Sequence, residues 1–210
     1  MSTEPNFTNT IEEWSNFFIP LADGVQLAAR AWLPTNAIEQ PVPAILEYIP
    51  YRKRDGTAIR DEQMHPYWAA FGYACVRVDM RGCGESDGLL IDEYLQQELE
   101  DAVEVIGWLA QQDWCSGKVG MMGKSWGGFN SLQVAALRPT ALKAIITVCS
   151  TDDRYADDIH YRGGVLLTEN FSWASTMSCY MAKAPDPLLL PETWREHWLE
   201  RLQNMPLLAK

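Results

Sequence analysis

The pentapeptide Gly123-Lys124-Ser125-Trp126-Gly127 restricts the fold of this chain more than any other stretch. It follows a short apolar run, Val119-Gly120-Met121-Met122, and leads directly into a helix-like segment, so it sits where a strand gives way to a helix. Glycines two residues either side of a serine suit a sharp strand-to-helix turn, because they remove the side chains that so tight a bend would force together. Such a turn lifts the serine hydroxyl to the top of a sheet, which makes Ser125 the candidate nucleophile.

The flanking pattern alternates. Phe17-Phe18-Ile19-Pro20 and the run from Val25 to Leu33 are strand-like and joined through Asp23-Gly24, which predicts an antiparallel hairpin. The run from Pro43 to Ile49 predicts a buried strand, the segment from Asp61 to Phe71 a helix, and the run from Tyr73 to Val78 another strand. From Tyr94 to Gln111, Leu95, Leu99, Val103, Ile106 and Leu109 recur at helical spacing, with Glu98, Glu100, Asp101 and Glu104 between them on a solvated face. After the pentapeptide come a helix to about Leu137, halted near Pro139, and a β-branched strand from Lys143 to Cys149. Strand and helix in alternation predict an α/β fold with a mostly parallel sheet and an N-terminal antiparallel hairpin.

At Ser150-Thr151-Asp152-Asp153 the character changes to turn chemistry, and the remainder reads as helical and aromatic. There Trp194, Trp198, Leu199 and Leu202 predict one buried stripe, with Glu192, Arg195, Glu196 and Glu200 outside it. We therefore expect residues 1–150 to form one unit and residues 151–210 the beginning of another. No internal repeat or low-complexity segment is present.

The net charge of −11 disfavours nucleic acid and anionic membrane surfaces as partners. The first residues, Met1 to Phe7, carry neither a basic nor an apolar leader, and no stretch approaches the roughly 18 apolar residues of a membrane span. The expectation is a soluble, cytoplasmic protein. Cys75, Cys83, Cys115, Cys149 and Cys179 form no Cys-x-x-Cys pair and predict mostly buried thiols rather than disulfides or a zinc site. Of nine tryptophans, five lie between Trp108 and Trp194, which predicts apolar walls beside the turn and after it.

A serine nucleophile acting on a carbonyl needs hydrogen-bond donors for the developing oxyanion. The backbone N–H of Trp126, the residue after Ser125, is in position to be one. A second is expected from the loop after the third strand, Ile49-Pro50-Tyr51-Arg52-Lys53-Arg54-Asp55, which has no glycine-rich run. Either the Tyr51 hydroxyl replaces a backbone donor, or this is a solvated basic loop with a packing tyrosine. The segment Asp79-Met80-Arg81-Gly82-Cys83-Gly84 through Gly88 lacks the spacing and the following helix of a dinucleotide loop; it reads as a structural turn tied by Asp79 and Arg81. His65, His160 and His197 share no ligand motif, so no metal site is expected.

The base is harder to place. In the order serine, acid, histidine, the chain offers Asp152, Asp153, Asp157 or Asp158 with His160 or His197. His160 follows its acids too closely for a separate loop, and His197 lies on an amphipathic helix beside Glu196, so neither is assigned. The same acidic cluster reads either as a solvated surface or as an attractor for a substrate ammonium group.

Taken together, the hairpin Asp23 to Arg30, the Pro50-Tyr51 loop, the pattern Asp79-x-Arg81-Gly82-x-Gly84-x-Ser86-x-Gly88 and the pentapeptide around Ser125 resemble the N-terminal part of the CocE/NonD hydrolases. That group includes cocaine esterase, α-amino-acid ester hydrolase and the S15-type X-Pro dipeptidyl-peptidase. The resemblance implies an α/β-hydrolase core with an inserted helical cap, of which residues 151–210 would be the start, followed by a jelly-roll domain. It implies Ser125 as nucleophile, Tyr51 and the Trp126 amide as oxyanion donors, and a triad acid and histidine beyond residue 210, on core strands that follow the cap. Without those strands the sheet would show an open edge. No cofactor is implied, and the substrate class is a small ester, amide or short peptide. X-Pro peptidase activity is the alternative among enzymes; a catalytically incomplete binding module is the alternative outside them. The natural acyl and leaving groups and the oligomeric state have no signal in the sequence.

Overall fold

The computed structural model describes residues 9–205. The chain opens with β1 (Ile11–Pro20) and β2 (Gln26–Pro34), which pair antiparallel across the Asp23-Gly24 turn. There Gly24 takes φ +90°, and the Asp23 carboxylate accepts the Val25 N–H at 3.0 Å. Then follow β3 (Val42–Ile49), α1 (Ala58–Ala70), β4 (Ala74–Asp79), α2 (Gln96–Ala110), β5 (Cys115–Lys124), α3 (Trp126–Leu137) and β6 (Leu142–Val148). The sheet order is β1-β2-β4-β3-β5-β6, with β4, β3, β5 and β6 mutually parallel and β2 antiparallel to β4.

Alternation along the central strands gives the sheet two unlike buried faces. Ala29, Ala31, Leu46, Tyr48, Val76 and Val78 point into an apolar core completed by Val105, Ile106 and Leu109 of α2 and by Val119, Met121 and Val134. The residues between them are charged: Arg30, Glu47 and Arg77 lie in register with one another and so share the opposite face. α1 packs against β2 and β4. It supplies Asp61 and His65, both buried, and Arg60. Arg77 is 3.4 Å from Asp61 and 3.2 Å from Asp79, Arg60 is 2.5 Å from Glu47, and Trp32 stacks on His65. The network is a set of paired charges, the condition under which ionic groups are tolerated out of water.

Several sequence expectations change. α1 begins three residues earlier than Asp61. The acidic face of α2 is only half solvated: Glu100 and Glu104 are exposed, whereas Glu98 and Asp101 are buried. Asp101 lies inside because the Arg81 guanidinium meets it at 2.7 Å; Leu95 precedes the helix and is exposed. Beyond β6 the chain is not wholly helical. A two-stranded hairpin, β7 (Tyr161–Arg162) and β8 (Val165–Leu166), turns through Gly163-Gly164 before α4 (Glu169–Ala182) and α5 (Trp194–Gln203). On α5 the expected stripe is broken: Leu199 and Leu202 are exposed and Arg201 is buried, where it donates to the carbonyls of Gly84 and Ser86. Cys75, Cys83 and Cys115 are buried, but Cys149 and Cys179 are exposed; all five are free thiols. β6 is an edge strand, with Ile146 and Val148 about half exposed.

One fully buried ion pair joins Lys53 to Glu85 at 2.6 Å. Removing one partner strands the other. Lys53→Met should therefore lower the free energy of unfolding by about 3–5 kcal/mol, and adding Glu85→Met should recover part of the loss. Urea denaturation of the two variants beside wild type checks this; equal losses in both would show that the pair is not the source.

Candidate active site

The sheet order reverses direction at β3. From β3 the chain moves to β4 on one side, then returns to β5 on the other. In an open α/β sheet such a reversal opens a crevice at the carboxyl ends of the two strands. β3 and β5 pair in parallel with Leu46 opposite Met121, so three residues further on Ile49 and Lys124 end their strands side by side. Their next residues lead into Tyr51 and Ser125. The two sequence candidates, 74 positions apart in the chain (125 − 51), are thus brought to one edge.

At the end of β5 the backbone turns sharply. Ser125 takes φ +57° and ψ −120°, a conformation that a residue with a side chain adopts at a cost. The bend brings Gly123 and Gly127 so close that a Cβ on Gly123 would lie 2.3 Å from the Gly127 carbonyl carbon, and a Cβ on Gly127 would lie 2.8 Å from Ile49 Cγ2. Both flanking glycines are required by contact. The Ser125 N–H donates to the Val148 carbonyl at 2.8 Å, which ties the turn to the end of β6, and the Ser125 carbonyl accepts from Gly128 and Phe129. Trp126 is the first residue of α3, and its N–H has no backbone acceptor among the described residues. It is one of the unsatisfied donors at a helix N-terminus, at the positive end of the helix dipole.

Ser125 is half-buried and lines a cleft of about 340 Å³ with Phe129, Cys149, Ser150, Asp157 and Asp158. Across the strand ends, Tyr51 packs edge-on against Trp126, with ring centres 6.4 Å apart, and against Trp173 and Tyr180 of α4. The Tyr51 hydroxyl has no hydrogen bond to any described residue. Burial, reinforced by the Glu93 carboxylate, holds its pKa well above that of an ordinary phenol, so it stays a protonated donor.

The loop that carries Tyr51 is not a solvated basic loop. Arg52 and Lys53 are buried. Arg52, at φ +59°, donates to the Lys183 and Ala184 carbonyls, and the Asp79 carboxylate accepts the Lys53 N–H at 2.9 Å. Asp79 thus ties the Tyr51 loop to β4, while Arg81 ties its own turn to Asp101 and Asp23.

The histidines go elsewhere. Among the described residues none hydrogen-bonds the Ser125 hydroxyl. His160 meets Glu93 at 2.9 Å, an acid that precedes Ser125 in the chain, and that hydrogen bond holds the imidazole above its usual pKa. The same carboxylate accepts the Trp173 indole N–H. His197 lies 3.7 Å from Asp87. Of the acidic cluster, Asp158 pairs with Arg154, Asp157 pairs with Arg162, and Asp153 caps the N–H groups of Tyr155 and Ala156. These contacts spend much of the charge proposed for a substrate ammonium. His65 does have companions: ligand atoms of Glu47, Asp61 and His65 lie within 4.8 Å of one another. Arg60 and Arg77 already neutralise these carboxylates, so the trio reads as an ion-pair cluster.

Glu93 and Glu98, both in contact with the aromatic residues of the site, were missed from sequence. Glu98 accepts the Trp126 indole N–H and the Tyr94 backbone N–H, each at 2.9 Å. It lies three residues after the Leu95 cap of α2 and reaches back over the helix start to Tyr94, but with leucine at the cap the sequence carries no capping-box signature.

Comparisons with known proteins extend over most of the chain. Residues 23–209 match the X-Pro dipeptidyl-peptidase (S15) family. Cocaine esterase of Rhodococcus sp. (strain MB1 Bresler) is 34% identical over 158 residues, which is 74% of this chain and 26% of that protein. A CocE/NonD family hydrolase from Staphylococcus aureus superposes with a TM-score of 0.69 at 22% identity, covering 89% of this chain and 38% of that one. An α-amino acid ester hydrolase superposes with a TM-score of 0.60 at 26% identity, covering 79% of this chain and 30% of that one. The chain spans about a quarter of the length of the curated relative. Crevice, turn and family match agree: the chain belongs to the X-Pro dipeptidyl-peptidase (S15) family of CocE/NonD-type α/β-hydrolases.

Proposed function

We propose that this chain carries the nucleophile and oxyanion donors of a serine hydrolase that cleaves small esters or amides through an acyl-enzyme on Ser125. The observation that carries the reading is the left-handed Ser125 turn at the reversal of strand order, beside an unspent tyrosine hydroxyl and an unspent helix N-terminal amide. Ser125 Oγ attacks the substrate carbonyl carbon and passes its proton to a general base. The carbonyl oxygen, now negative, is held by the Tyr51 hydroxyl and the Trp126 N–H. Collapse expels the alcohol or amine, and water then releases the acid and frees Ser125. We assign neither the base nor its acid to this chain, because His160 and His197 are paired away from Ser125; we place both in a longer protein.

Residues 151–210 are read as the start of a cap, since Trp173 and Tyr180 of α4 wall the Tyr51 side of the crevice. A cytoplasmic location suits the five unpaired thiols. No helix among the described residues is long and apolar enough to cross a membrane.

Labelling with a fluorescent fluorophosphonate tests the nucleophile. A form of the protein read through past Lys210 should label, and its Ser125→Ala variant should not; persistent labelling of that variant would remove Ser125 from the role. Tyr51→Phe should lower the rate of acylation roughly 10²–10³-fold, as for loss of one oxyanion donor, with the thermal midpoint little changed; an unchanged rate would return Tyr51 to packing. The family match favours a second substrate class, so an aryl ester and an Xaa-Pro anilide should be compared. Hydrolysis of the anilide alone would replace the esterase reading with a peptidase one. Binding of either compound without turnover would favour a binding module.

A further inference from the structure

We propose that Glu98 is the positioning residue of the Ser125 turn: its carboxylate joins the Trp126 indole to the Tyr94 backbone and so fixes the direction of the Trp126 amide. This rests on the reading of Ser125 and Trp126 above. Each Glu98 oxygen accepts one N–H, from Trp126 Nε1 and from the Tyr94 backbone, and both bonds are 2.9 Å long. Tyr94 is itself left-handed, at φ +58°, and Trp126 follows Ser125, at φ +57°. One carboxylate therefore braces two strained points of the backbone. The rings of Tyr94 and Trp126 close the circuit, with centres 5.1 Å apart.

The chemistry of the contact calls for a carboxylate. Two N–H donors converge on it, and only an acceptor-only group can serve both; an amide would turn an N–H toward one of them. Glu98 is buried and has no cationic partner among the described residues; Arg81, which lines the same cleft, is spent on Asp101 and Asp23. Its place in the first turn of α2 supplies the favourable end of a helix dipole instead.

The brace is titratable. Burial pushes the Glu98 carboxyl up to about 7, with the hydrogen bonds from Trp126 and Tyr94 opposing it and the nearby Glu93 charge adding to it. The other charged or titratable groups facing it are Asp92 and Tyr94 on the preceding loop, Asp101 on α2, Tyr48 on β3, Tyr51 beyond β3 and Arg81 beyond β4. Arg154 sits over the Tyr94 ring. Above about pH 7 both oxygens accept. Below it a proton occupies one of them and opposes an N–H, so the hold on Trp126 strengthens as pH rises.

Two readouts test this. In the ¹H–¹⁵N spectrum of the chain, the indole signal lost in Trp126→Phe should shift with pH about a midpoint near 7. In Glu98→Gln it should cease to titrate, while the other indole signals keep their positions and report an intact fold. In the read-through form, Glu98→Gln should slow phosphonylation of Ser125 roughly 10- to 100-fold and flatten its dependence on pH. Should Glu98→Gln fail to fold, Glu98→Asp serves: it keeps the charge but is too short to span both donors, so it should retain a titration and lose rate. A Trp126 signal indifferent to pH, or a Gln variant with the wild-type rate and profile, would overturn the proposal. The indole titration needs no reaction, so it decides on Glu98 even if Ser125→Ala still labels and the hydrolase reading falls.

Discussion

The approach of Gly123 to Gly127 is the contact on which the rest of the site depends. At that separation Gly123 has no room for a side chain, and Ile49 leaves none on Gly127; the bend joins the last strand residue, Lys124, directly to Ser125, the cap of a helix. Two consequences follow from the one constraint. Ser125 is forced into the left-handed region, which lifts its hydroxyl out of the sheet, and α3 starts at once, which leaves the Trp126 N–H unsatisfied beside it. The raised Ser125 hydroxyl and the unsatisfied Trp126 N–H are thus products of the same turn. The turn in its own right is costly, and it is held from three sides: by the Val148 carbonyl at the Ser125 N–H, by the α3 hydrogen bonds to the Ser125 carbonyl, and by the Trp126 ring wedged among Tyr51, Tyr94 and Trp173.

The placement of Tyr51 depends on buried charge. Tyr51 lies on a loop whose direction is set by Asp79 at the Lys53 N–H, by the enclosed Lys53–Glu85 pair and by Arg52 reaching the chain just after α4. Glu85 also accepts the Asp186 N–H, and Arg201 of α5 reaches the loop that bears Glu85. The segment after β6 is therefore fastened to the core through the loop that carries Tyr51. Tyr51 therefore sits on a loop shared between the core and the segment that bears α4 and α5.

What was legible in the sequence is what is local. The hairpin at Asp23-Gly24, the alternation of strands and helices and the turn around Ser125 each rest on residues within a few positions of one another, and each is present in the structure. Pairing between distant segments was not legible. Nothing in the run Tyr51 to Asp55 tells that Arg52 and Lys53 are enclosed, because their partners lie up to 132 positions away. The burial of Glu98 and Asp101 follows from Trp126 and Arg81, and helical periodicity, which counts only apolar positions, placed both on the solvated side. The same weighting put Leu199 inside and Arg201 outside on α5. One signal was available and unused: in Ala29-Arg30-Ala31, Leu46-Glu47-Tyr48 and Val76-Arg77-Val78 a charge is bracketed by apolar residues, and in adjacent strands that pattern marks a shared ionic face.

The most direct measurement is the structure of the protein after reaction with a phosphonate ester that mimics the tetrahedral intermediate. The expected result is a phosphonyl group on Ser125 Oγ with one oxygen within hydrogen-bond distance of both the Tyr51 hydroxyl and the Trp126 N–H. A phosphonyl group on another residue, or one on Ser125 whose oxygen turns away from both donors, would contradict the assignment of this crevice as an acyl-transfer site.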